Sequence, residues 1–210
     1  MAYNLEEQEQ LAQMRAWWNK YGMSIMSVLG VVLVAVLAWQ GWSAYQTNQA
    51  KQARGYFDAV ELASQQPSAD SAARVMAAMQ TLRKDFGSTD YAARAALFAA
   101  SAFEIQQNIP AAQEQLEWLV KSNHAALVPV AQLRLAGLFL DQKKYDQALS
   151  LLSSPPKSFD ALFSDRRGDI YAAQGNAEQA KQAWTKTLTL IGLDNPLASV
   201  VQLKLDSLGR

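Results

Sequence analysis

The sequence predicts an all-α protein, in which a single N-terminal transmembrane helix is followed by a solenoid of repeated helix pairs. Three observations favour this fold class. There is no charged residue between Lys20 and Lys51, which is typical of a segment that crosses a lipid bilayer. After residue 46, Ala, Leu, Gln, Lys and Glu predominate without strand-like alternation. One pattern of apolar and small residues also occurs three times between residues 93 and 190, which is typical of a helical repeat protein.

The composition excludes several functional classes. The chain has 210 residues, enough for one main domain and an accessory segment. Lys plus Arg and Asp plus Glu each number 19, so the positive field that attracts nucleic acid is missing and no nucleic-acid partner is expected. There is no cysteine, and His124 is the only histidine. Disulfides, thiolate nucleophiles and cysteine-based zinc sites are therefore excluded, and no metal or other cofactor is predicted.

The uncharged segment is predicted to be a membrane anchor. Taken as a helix, Met23 to Trp42 contains twenty residues, which at about 1.5 Å per residue span the roughly 30 Å of a bilayer's hydrocarbon core. Amphipathic aromatic rings, which suit the lipid headgroups, flank this segment on both sides. They are Trp17, Trp18, Tyr21, Trp39, Trp42 and Tyr45. We therefore assign residues 22–42 to a transmembrane helix.

Two alternatives to an uncleaved anchor are less consistent with the sequence. A helix buried in a soluble core usually keeps a polar stripe, which this segment lacks. A cleaved signal peptide has a short positive N-terminal region and an apolar stretch of about 7 to 15 residues. Here the apolar stretch is longer, and the segment before it carries Glu6, Glu7 and Glu9. The bulky string Trp39-Gln-Gly-Trp42 is also a poor cleavage site.

The orientation of the anchor depends on the positive residues at its two ends. Arg15 and Lys20 precede it, and Lys51 and Arg54 follow it, so the count that normally identifies the cytoplasmic side is tied. Lys20 almost abuts the apolar run, which favours a cytoplasmic tail at residues 1–21 and a translocated C-terminal domain. Apolar residues at helical spacing within the tail indicate a short interfacial helix, with a docking tail as the alternative.

Three units between residues 93 and 190 share one pattern of small, aromatic and apolar residues. The central unit reads Leu135, Ala136, Phe139, Tyr145, Ala148 and Leu152. The corresponding sets are Ala99, Ala100, Phe103, Ile109, Ala112 and Leu116, 36 residues earlier, and Arg167, Gly168, Tyr171, Ala177, Ala180 and Trp184, 32 residues later. This spacing resembles the tetratricopeptide repeat, in which small residues let paired helices approach closely. A chance bundle of alanine-rich helices is the alternative.

The translocated domain is divided according to this pattern. We predict a tetratricopeptide-repeat-like domain at 43–210, with a helix pair at 48–86, repeats at 93–123, 129–156 and 161–190, and a C-terminal capping helix at 196–208. The helix pair lacks the small-residue pattern and is interpreted as an atypical first repeat. The apolar stripe of the last helix would cover the exposed end of the stack. A free docking helix is the alternative for this last segment.

No pattern in the sequence predicts catalysis. Gly-x-Ser-x-Gly, Gly-x-x-x-x-Gly-Lys and His-Glu-x-x-His are absent. His124 follows a helical run and is interpreted as a group that binds the last carbonyls of that helix. The charges of both signs from Asp165 to Asp169 are interpreted as a solvated, salt-bridged helix face. We therefore predict no catalytic residue, no cofactor-binding residue and no metal ligand, and a protein that is not an enzyme.

The candidate binding site is the surface formed by the first helices of the repeats. A helical solenoid presents these helices on a concave face that suits an extended peptide or a partner helix. We call this surface the first-helix face, and it is predicted to include Arg94, Leu97, Phe98, Leu133, Arg134, Leu162, Asp165, Arg166 and Asp169. The apolar members have helix packing as an alternative role. The carboxylate clamp of some tetratricopeptide repeats needs lysine where Leu97, Leu133 and Asp165 stand, so recognition of a cytosolic chaperone tail is not expected.

The order of these parts, together with several short strings, resembles the YfgM family of bacterial envelope proteins. The strings are Trp17-Trp18, Trp39-Gln-Gly-Trp42, Tyr171-x-x-x-Gly175 and Ala180-x-x-x-Trp184. The resemblance implies a single-pass protein of the bacterial inner membrane with periplasmic repeats. It further implies that the protein accompanies the SecYEG translocon, pairs with the membrane-anchored chaperone PpiD and assists the handling of newly exported proteins. Exported polypeptides are additional candidate partners.

Two other functions remain open at this point. A scaffold that assembles another envelope complex, for division or outer-membrane biogenesis, would have the same anchor and repeats. An enzyme, such as an amidase or isomerase, would have to use the charged residues between Asp165 and Asp169.

Overall fold

The computed structural model describes residues 3–65, 68–192 and 194–208, and the regular structure of these residues is helical throughout. The helices are α1 Tyr3–Gln65, α2 Ala69–Asp85, α3 Asp90–Ile105, α4 Ile109–Val120, α5 Val128–Asp141, α6 Tyr145–Leu151, α7 Asp160–Ala173, α8 Ala177–Ile191 and α9 Pro196–Ser207. A short 3-10 turn occupies Lys157–Phe159. The all-α fold class predicted from the sequence is confirmed.

Helix α1 is longer than the sequence analysis predicts. It has no break, whereas the analysis ends the anchor at residue 42 and begins a separate helix at residue 48. No glycine or proline lies between Trp42 and Ala50, so the backbone has no reason to leave the helical conformation there. Thr47 donates its hydroxyl to the Ser43 carbonyl, one turn back, at 2.9 Å. The change from apolar to polar residues thus ends the apolar segment without ending the helix.

The first of the two compact units of the chain ends at residue 49 and carries the apolar segment. Among the described residues, α1 is the one helix long and apolar enough to cross a membrane, with a mean hydropathy of 2.3 in its most apolar window. Its large apolar side chains between Met23 and Trp42 are exposed, except that of Ile25, which is partly buried. The ring centroids of Trp17 and Tyr21 lie 5.8 Å apart before this apolar segment, and those of Trp42 and Tyr45 lie 6.1 Å apart after it. Continuous apolar exposure between two aromatic pairs fits a membrane anchor.

The second compact unit begins at Ala50 and stacks its helices in chain order. The last part of α1 and helix α2 are followed by the helix pairs α3 with α4, α5 with α6 and α7 with α8. Successive pairs are joined because α4 packs on α5, and because α7 packs on both α5 and α6. This arrangement is the tetratricopeptide-repeat-like solenoid predicted from the sequence.

The small residues of the repeated pattern lie where helices cross. Those that are buried are Ala100, Ala112, Ala136, Ala148, Gly168 and Ala180. Gly168 shows why a small residue is needed, because a Cβ atom at this position of α7 would overlap the indole ring of Trp184 on α8. The close approach of these two helices therefore depends on glycine.

The turns inside the three helix pairs share one backbone geometry. A residue with positive φ occurs in each, at 58° in Gln107, 59° in Lys143 and 78° in Gly175. The following N–H donates to the carbonyl of the repeat's aromatic residue, at 2.8 Å to Phe103, 2.8 Å to Phe139 and 2.9 Å to Tyr171. Such a closure is a Schellman-type helix end. Because these positions are separated by 36 and 32 residues, the backbone follows the same repeat spacing as the side-chain pattern.

The helix pairs occupy residues 90–120, 128–151 and 160–191. The second pair is shorter than the predicted repeat at 129–156, because α6 ends at Leu151. Pro155 and Pro156 lack backbone N–H groups, and a proline disfavours helical geometry in the residue before it. The two prolines therefore lie beyond the helix end.

Helix α9 lies where the sequence analysis places a capping helix. Its N-terminus is capped by Asn195, whose side-chain oxygen accepts from the Leu197 N–H at 3.0 Å. Val201 of α9 is buried with Ala180 and Trp184 of α8 in a small core of their own. This core covers the outer side of the last helix pair.

Candidate partner-binding surface

The residues of the first-helix face lie on α3, α5 and α7 and differ in exposure. The exposed members are Arg94, Phe98, Arg134 and Leu162, whereas Leu97, Leu133, Asp165, Arg166 and Asp169 are partly buried. In the repeat spacing of 36 and 32 residues, Phe98, Arg134 and Arg166 occupy equivalent positions. These three side chains share a further property, since each contacts or approaches the first helix of the preceding pair.

Phe98 packs against α1. Its ring lies edge-on to Phe57 with the ring centroids 5.6 Å apart, and Phe57 also lies 5.7 Å from Tyr91. Phe98 remains 41% exposed. The sequence analysis did not include Phe57, although the adjacent aromatic residues Tyr56 and Phe57 signal a packing position on that helix. One side of the Phe98 ring therefore packs against Phe57, and the other side is exposed to solvent.

Arg134 of α5 is bound to α3. Its Nη1 atom donates to the Leu97 carbonyl at 3.1 Å and to the Ser101 hydroxyl at 2.7 Å. Arg166 of α7 likewise lies against the first helix of the preceding pair, α5. Its Nη1 atom would be 3.8 Å from a Cβ atom placed on Gly137, which is van der Waals contact and not a hydrogen bond. The structure thus brings Arg134 and Leu97 together. Part of the hydrogen-bonding capacity of Arg134 is used by α3 and is not available to a partner.

A carboxyl group lies beside Arg134 on the same surface. Glu104 is one turn beyond Ser101 on α3, and burial raises the pKa of its carboxyl above the usual value. The charge of Asp141 on α5 raises this pKa further, whereas the charge of Arg134 opposes the rise. The sequence analysis did not include Glu104 in the first-helix face, because only the packing of α5 against α3 reveals its partial burial.

Asp165 and Asp169 are not free members of the first-helix face. The Nζ atom of Lys204 on α9 lies 2.7 Å from an oxygen of each carboxylate, and Arg166 lies 3.8 Å from Asp169. The predicted pairing within this helix therefore holds for Arg166 and Asp169, but both aspartates are also paired outside it, with α9. The physical reason is that α9 returns to α7 and supplies the cation from outside the local sequence.

His124 also has a different role from the one predicted. Its Nε2 atom is 2.9 Å from the Gly87 carbonyl, in the turn before α3, and its Nδ1 atom is 3.6 Å from Asp90. The imidazole therefore joins the loop after α4 to the start of α3 and does not bind the last carbonyls of α4. No group of three or more His, Asp or Glu side chains that could hold a metal ion is found in the described ranges.

Comparisons with known proteins agree with this architecture. Residues 15–210 match the family described as tetratricopeptide repeat-like domain. The ancillary SecYEG translocon subunit of Neisseria gonorrhoeae (strain ATCC 700825 / FA 1090) is 30% identical over 210 residues, covering 99% of this chain and 100% of that protein. The protein of the same name from Haemophilus influenzae (strain ATCC 51907 / DSM 11121 / KW20 / Rd) is 28% identical, covering 88% of this chain and 89% of that protein.

A third relative extends the same likeness. The ancillary SecYEG translocon subunit of Aggregatibacter actinomycetemcomitans is 26% identical over 212 residues, covering 99% of this chain and 100% of that protein. The likeness therefore includes the anchor as well as the repeats. On the match of residues 15–210 and the full-length relatives, this chain belongs to the tetratricopeptide repeat-like domain family and, within it, to the YfgM family that its sequence resembles.

Proposed function

We propose that this chain is a membrane-anchored protein-protein interaction module that assists the Sec translocon and the periplasmic chaperone network in handling newly exported proteins. The observation that carries the proposal is the nearly full-length likeness to relatives named ancillary SecYEG translocon subunits. An anchor in the same membrane as a partner raises the effective concentration of the binding surface, so a weak contact between the folded domains suffices. Binding, and not catalysis, is the activity that we assign.

The proposed topology places the repeats in the periplasm. Residues 1–21 are the cytoplasmic tail and residues 22–42 cross the inner membrane. Support comes from Lys20, which lies at the N-terminal edge of the apolar segment, because positive residues next to a membrane helix favour the cytoplasmic side. A C-terminal alkaline phosphatase fusion should be active and a C-terminal green fluorescent protein fusion dark. The opposite pair of results would exclude the proposed role of the repeats at the periplasmic side of the channel.

The proposed partner-binding surface is the first-helix face, with SecYEG, PpiD and exported polypeptides as its partners. Phe98 and Leu162 supply exposed apolar contact, and Arg94 supplies an exposed charge that orients a partner. Arg134 and Arg166 contribute to the charge of the surface but also lie against the preceding helix. Arg94 is therefore the cleaner probe of binding, because its replacement does not remove a described helix-to-helix hydrogen bond.

Site-specific photocrosslinking in native membranes tests this surface. The full chain carries benzoylphenylalanine in place of Phe98 or, as a matched control of similar exposure on a second helix, in place of Leu190. We expect crosslinks to SecYEG or PpiD from position 98, a several-fold lower yield from position 190, and loss of the position 98 crosslinks when Arg94→Glu is added.

The outcomes of this experiment separate the competing functions. Equal yields at the two positions would show that the first-helix face is not the binding surface. Recovery of subunits from another envelope assembly complex, in place of SecYEG and PpiD, would support the alternative of a scaffold for that complex. Loss of all crosslinks on exchange of residues 22–42 for an unrelated membrane helix, with Arg94→Glu without effect, would place recognition in the bilayer.

A further inference from the structure

A groove lies between α2 and α4, formed by the second helices of two successive pairs. One end, of about 530 Å³, contains the side chains of Met76 and Met79 and is called the apolar end, although Lys84 and Glu114 also line it. The other end, of about 420 Å³, is lined by Lys121 and His124 and is called the polar end, and Arg83 and Trp118 line both ends. We call it the α2–α4 groove and define it by Met76, Arg83, Lys84, Gln115, Trp118 and Lys121. These residues are not part of the first-helix face, so the groove offers a second surface for binding.

The boundary between the two ends of the groove is held in place. Arg83 of α2 binds Glu114 of α4, with 2.7 Å between Nη1 and Oε1. The same guanidinium lies over the Trp118 ring, 5.8 Å from its centroid. Met76, on the apolar side, is 44% exposed. The apolar end thus presents an indole that is already held by Arg83, which lowers the entropic cost of binding, and an exposed thioether.

Gln115 lies in the apolar end and has an unsatisfied polar atom. Its side chain is 2% exposed, and its Oε1 atom has no hydrogen-bond partner among the residues that the structure describes. A buried acceptor without a partner costs free energy. The terminal torsion of glutamine is soft, so rotation of the amide can turn the oxygen toward a backbone N–H of a peptide in the groove.

The charge of the groove favours an acidic ligand. Three cations, Arg83, Lys84 and Lys121, line it against one carboxylate, that of Glu114. His124 forms part of the wall at the polar end, where it is held by Gly87 and Asp90. Lys121 is exposed and lies at the C-cap of α4, so its ammonium is placed to meet a carboxylate at the polar end.

The spacing along α4 sets the length of the ligand. Gln115 and Lys121 are six residues apart, which at about 1.5 Å per residue is roughly 9 Å along the helix axis. An extended peptide covers that distance in about three residues, at about 3.3 Å each. We propose that the α2–α4 groove binds an extended polypeptide segment in which an apolar side chain lies about three residues from an acidic side chain. The apolar side chain lies against Trp118 at the level of Gln115, its own backbone N–H donates to Gln115 Oε1, and the carboxylate pairs with Lys121.

The spacing is tested with synthetic peptides and the full chain in detergent micelles. Each peptide is labelled at its N-terminus, amidated at its C-terminus, and consists of glycine and serine with one leucine and one glutamate separated by one to six positions. Fluorescence anisotropy should show tightest binding at a separation of about three, several-fold tighter than at one or six. Replacing the glutamate of the best peptide by glutamine should weaken binding, since it removes the one carboxylate.

Protein variants identify the site of binding. Lys121→Glu should weaken the best peptide about tenfold through reversal of an exposed charge, and Gln115→Leu should weaken it several-fold. Lys181→Glu, an equal change at an exposed position of α8, should leave binding unchanged, and thermal melting shows whether each variant is folded. If Gln115→Leu does not fold, Lys121→Glu alone still tests the proposal, because Lys121 is exposed and its replacement does not disturb the core.

Three results would overturn the proposal. The first is an affinity that does not depend on the separation of leucine and glutamate. The second is an equal effect of Lys121→Glu and Lys181→Glu. The third is tighter binding of a peptide that ends in leucine with a free carboxylate, which would assign the groove to chain termini and not to internal acidic segments. None of these results bears on the first-helix face, so failure here is distinguishable from failure of the proposed function.

Discussion

Lys204 of α9 donates to Asp165 of α7 across 2.7 Å, although the two residues are 39 positions apart in the sequence. The same ammonium lies 2.7 Å from Asp169 and 5.8 Å from the centroid of the Trp184 ring. The two carboxylates lie one turn apart on α7, and this cation opposes their mutual repulsion together with Arg166, which lies 3.8 Å from Asp169. Lys204 therefore fastens α9 to the last helix pair by charge as well as by apolar packing.

Removal of the Lys204 charge should destabilise the end of the solenoid. Lys204→Met keeps the aliphatic stem but leaves the two partly buried aspartates without their common cation. We expect the free energy of unfolding to fall by roughly 1–2 kcal/mol, between the values for exposed and fully buried ion pairs. Urea unfolding of the full chain in detergent, followed by circular dichroism, measures the change. Lys181→Met, on the exposed face of α8, should change the same quantity little, and equal losses for both variants would contradict the assigned role.

The positive-φ positions of the turns predict a stabilising substitution. Lys143 has φ of 59° and Gly175, at the equivalent position, has φ of 78°. Because this conformation costs a residue with a Cβ atom about 1 kcal/mol relative to glycine, Lys143→Gly should raise the free energy of unfolding by about that amount. Gly175→Ala should lower it by a similar amount, since a Cβ atom there meets nothing within 4 Å and only the backbone is strained. Thermal melting of both variants checks the two signs, and a loss in both would show that the Lys143 side chain itself stabilises the turn.

The solenoid could be predicted from the sequence because its determinants are local and repeated. Ala100, Ala136 and Gly168 recur at nearly constant spacing, and each repeat must bury its small residues against its own second helix. The turn residues alone would not have revealed the repeat, since Gln107 and Lys143 stand where glycine is the usual choice. The repeat is therefore predicted by the spacing of its small and aromatic side chains and not by the residue types of its turns.

The parts that could not be predicted depend on contacts between distant segments. The pairing of Lys204 with Asp165 requires the position of α9 on α7, which no local pattern contains. The continuity of α1 past Trp42 was missed because a change of polarity suggests a boundary, whereas only glycine, proline or a capping group ends a helix. The α2–α4 groove was missed because its two sides come from second helices, and the sequence analysis looked for binding residues on the first.

Two glycines on the first helices of successive pairs should respond in opposite ways to the same substitution. Gly168→Ala would place a Cβ atom into the Trp184 indole, and we expect a loss of about 1–3 kcal/mol in the free energy of unfolding from overpacking. Gly137→Ala meets only the Arg166 guanidinium, at 3.8 Å, so the higher helix propensity of alanine should stabilise by about 0.5–1 kcal/mol. The difference between the two melting temperatures measures how closely α7 and α8 approach, and its absence would contradict the helix crossing at Gly168.

The raised pKa of the Glu104 carboxyl predicts how the stability of the folded chain depends on pH. Burial raises its pKa above the ordinary value of 4.5, Asp141 raises the pKa further, and Arg134 opposes the rise. The folded chain therefore binds this proton more tightly than the unfolded chain, so the stability that the group contributes is present at low pH. It is lost as the pH rises from about 4.5 through the folded pKa.

Glu104→Gln removes this titrating group and tests whether its charge lowers the free energy of unfolding. At neutral pH the variant should unfold at a higher urea concentration than the parent chain, because the cost of burying a charged carboxylate is gone. As the pH falls toward 4.5, the carboxyl of the parent becomes protonated and the difference should shrink. Urea midpoints measured for both chains across this range test the expectation. A variant that is less stable than the parent at neutral pH, with the gap closing in acid, would show that the attraction of Glu104 to Arg134 outweighs the burial of its charge.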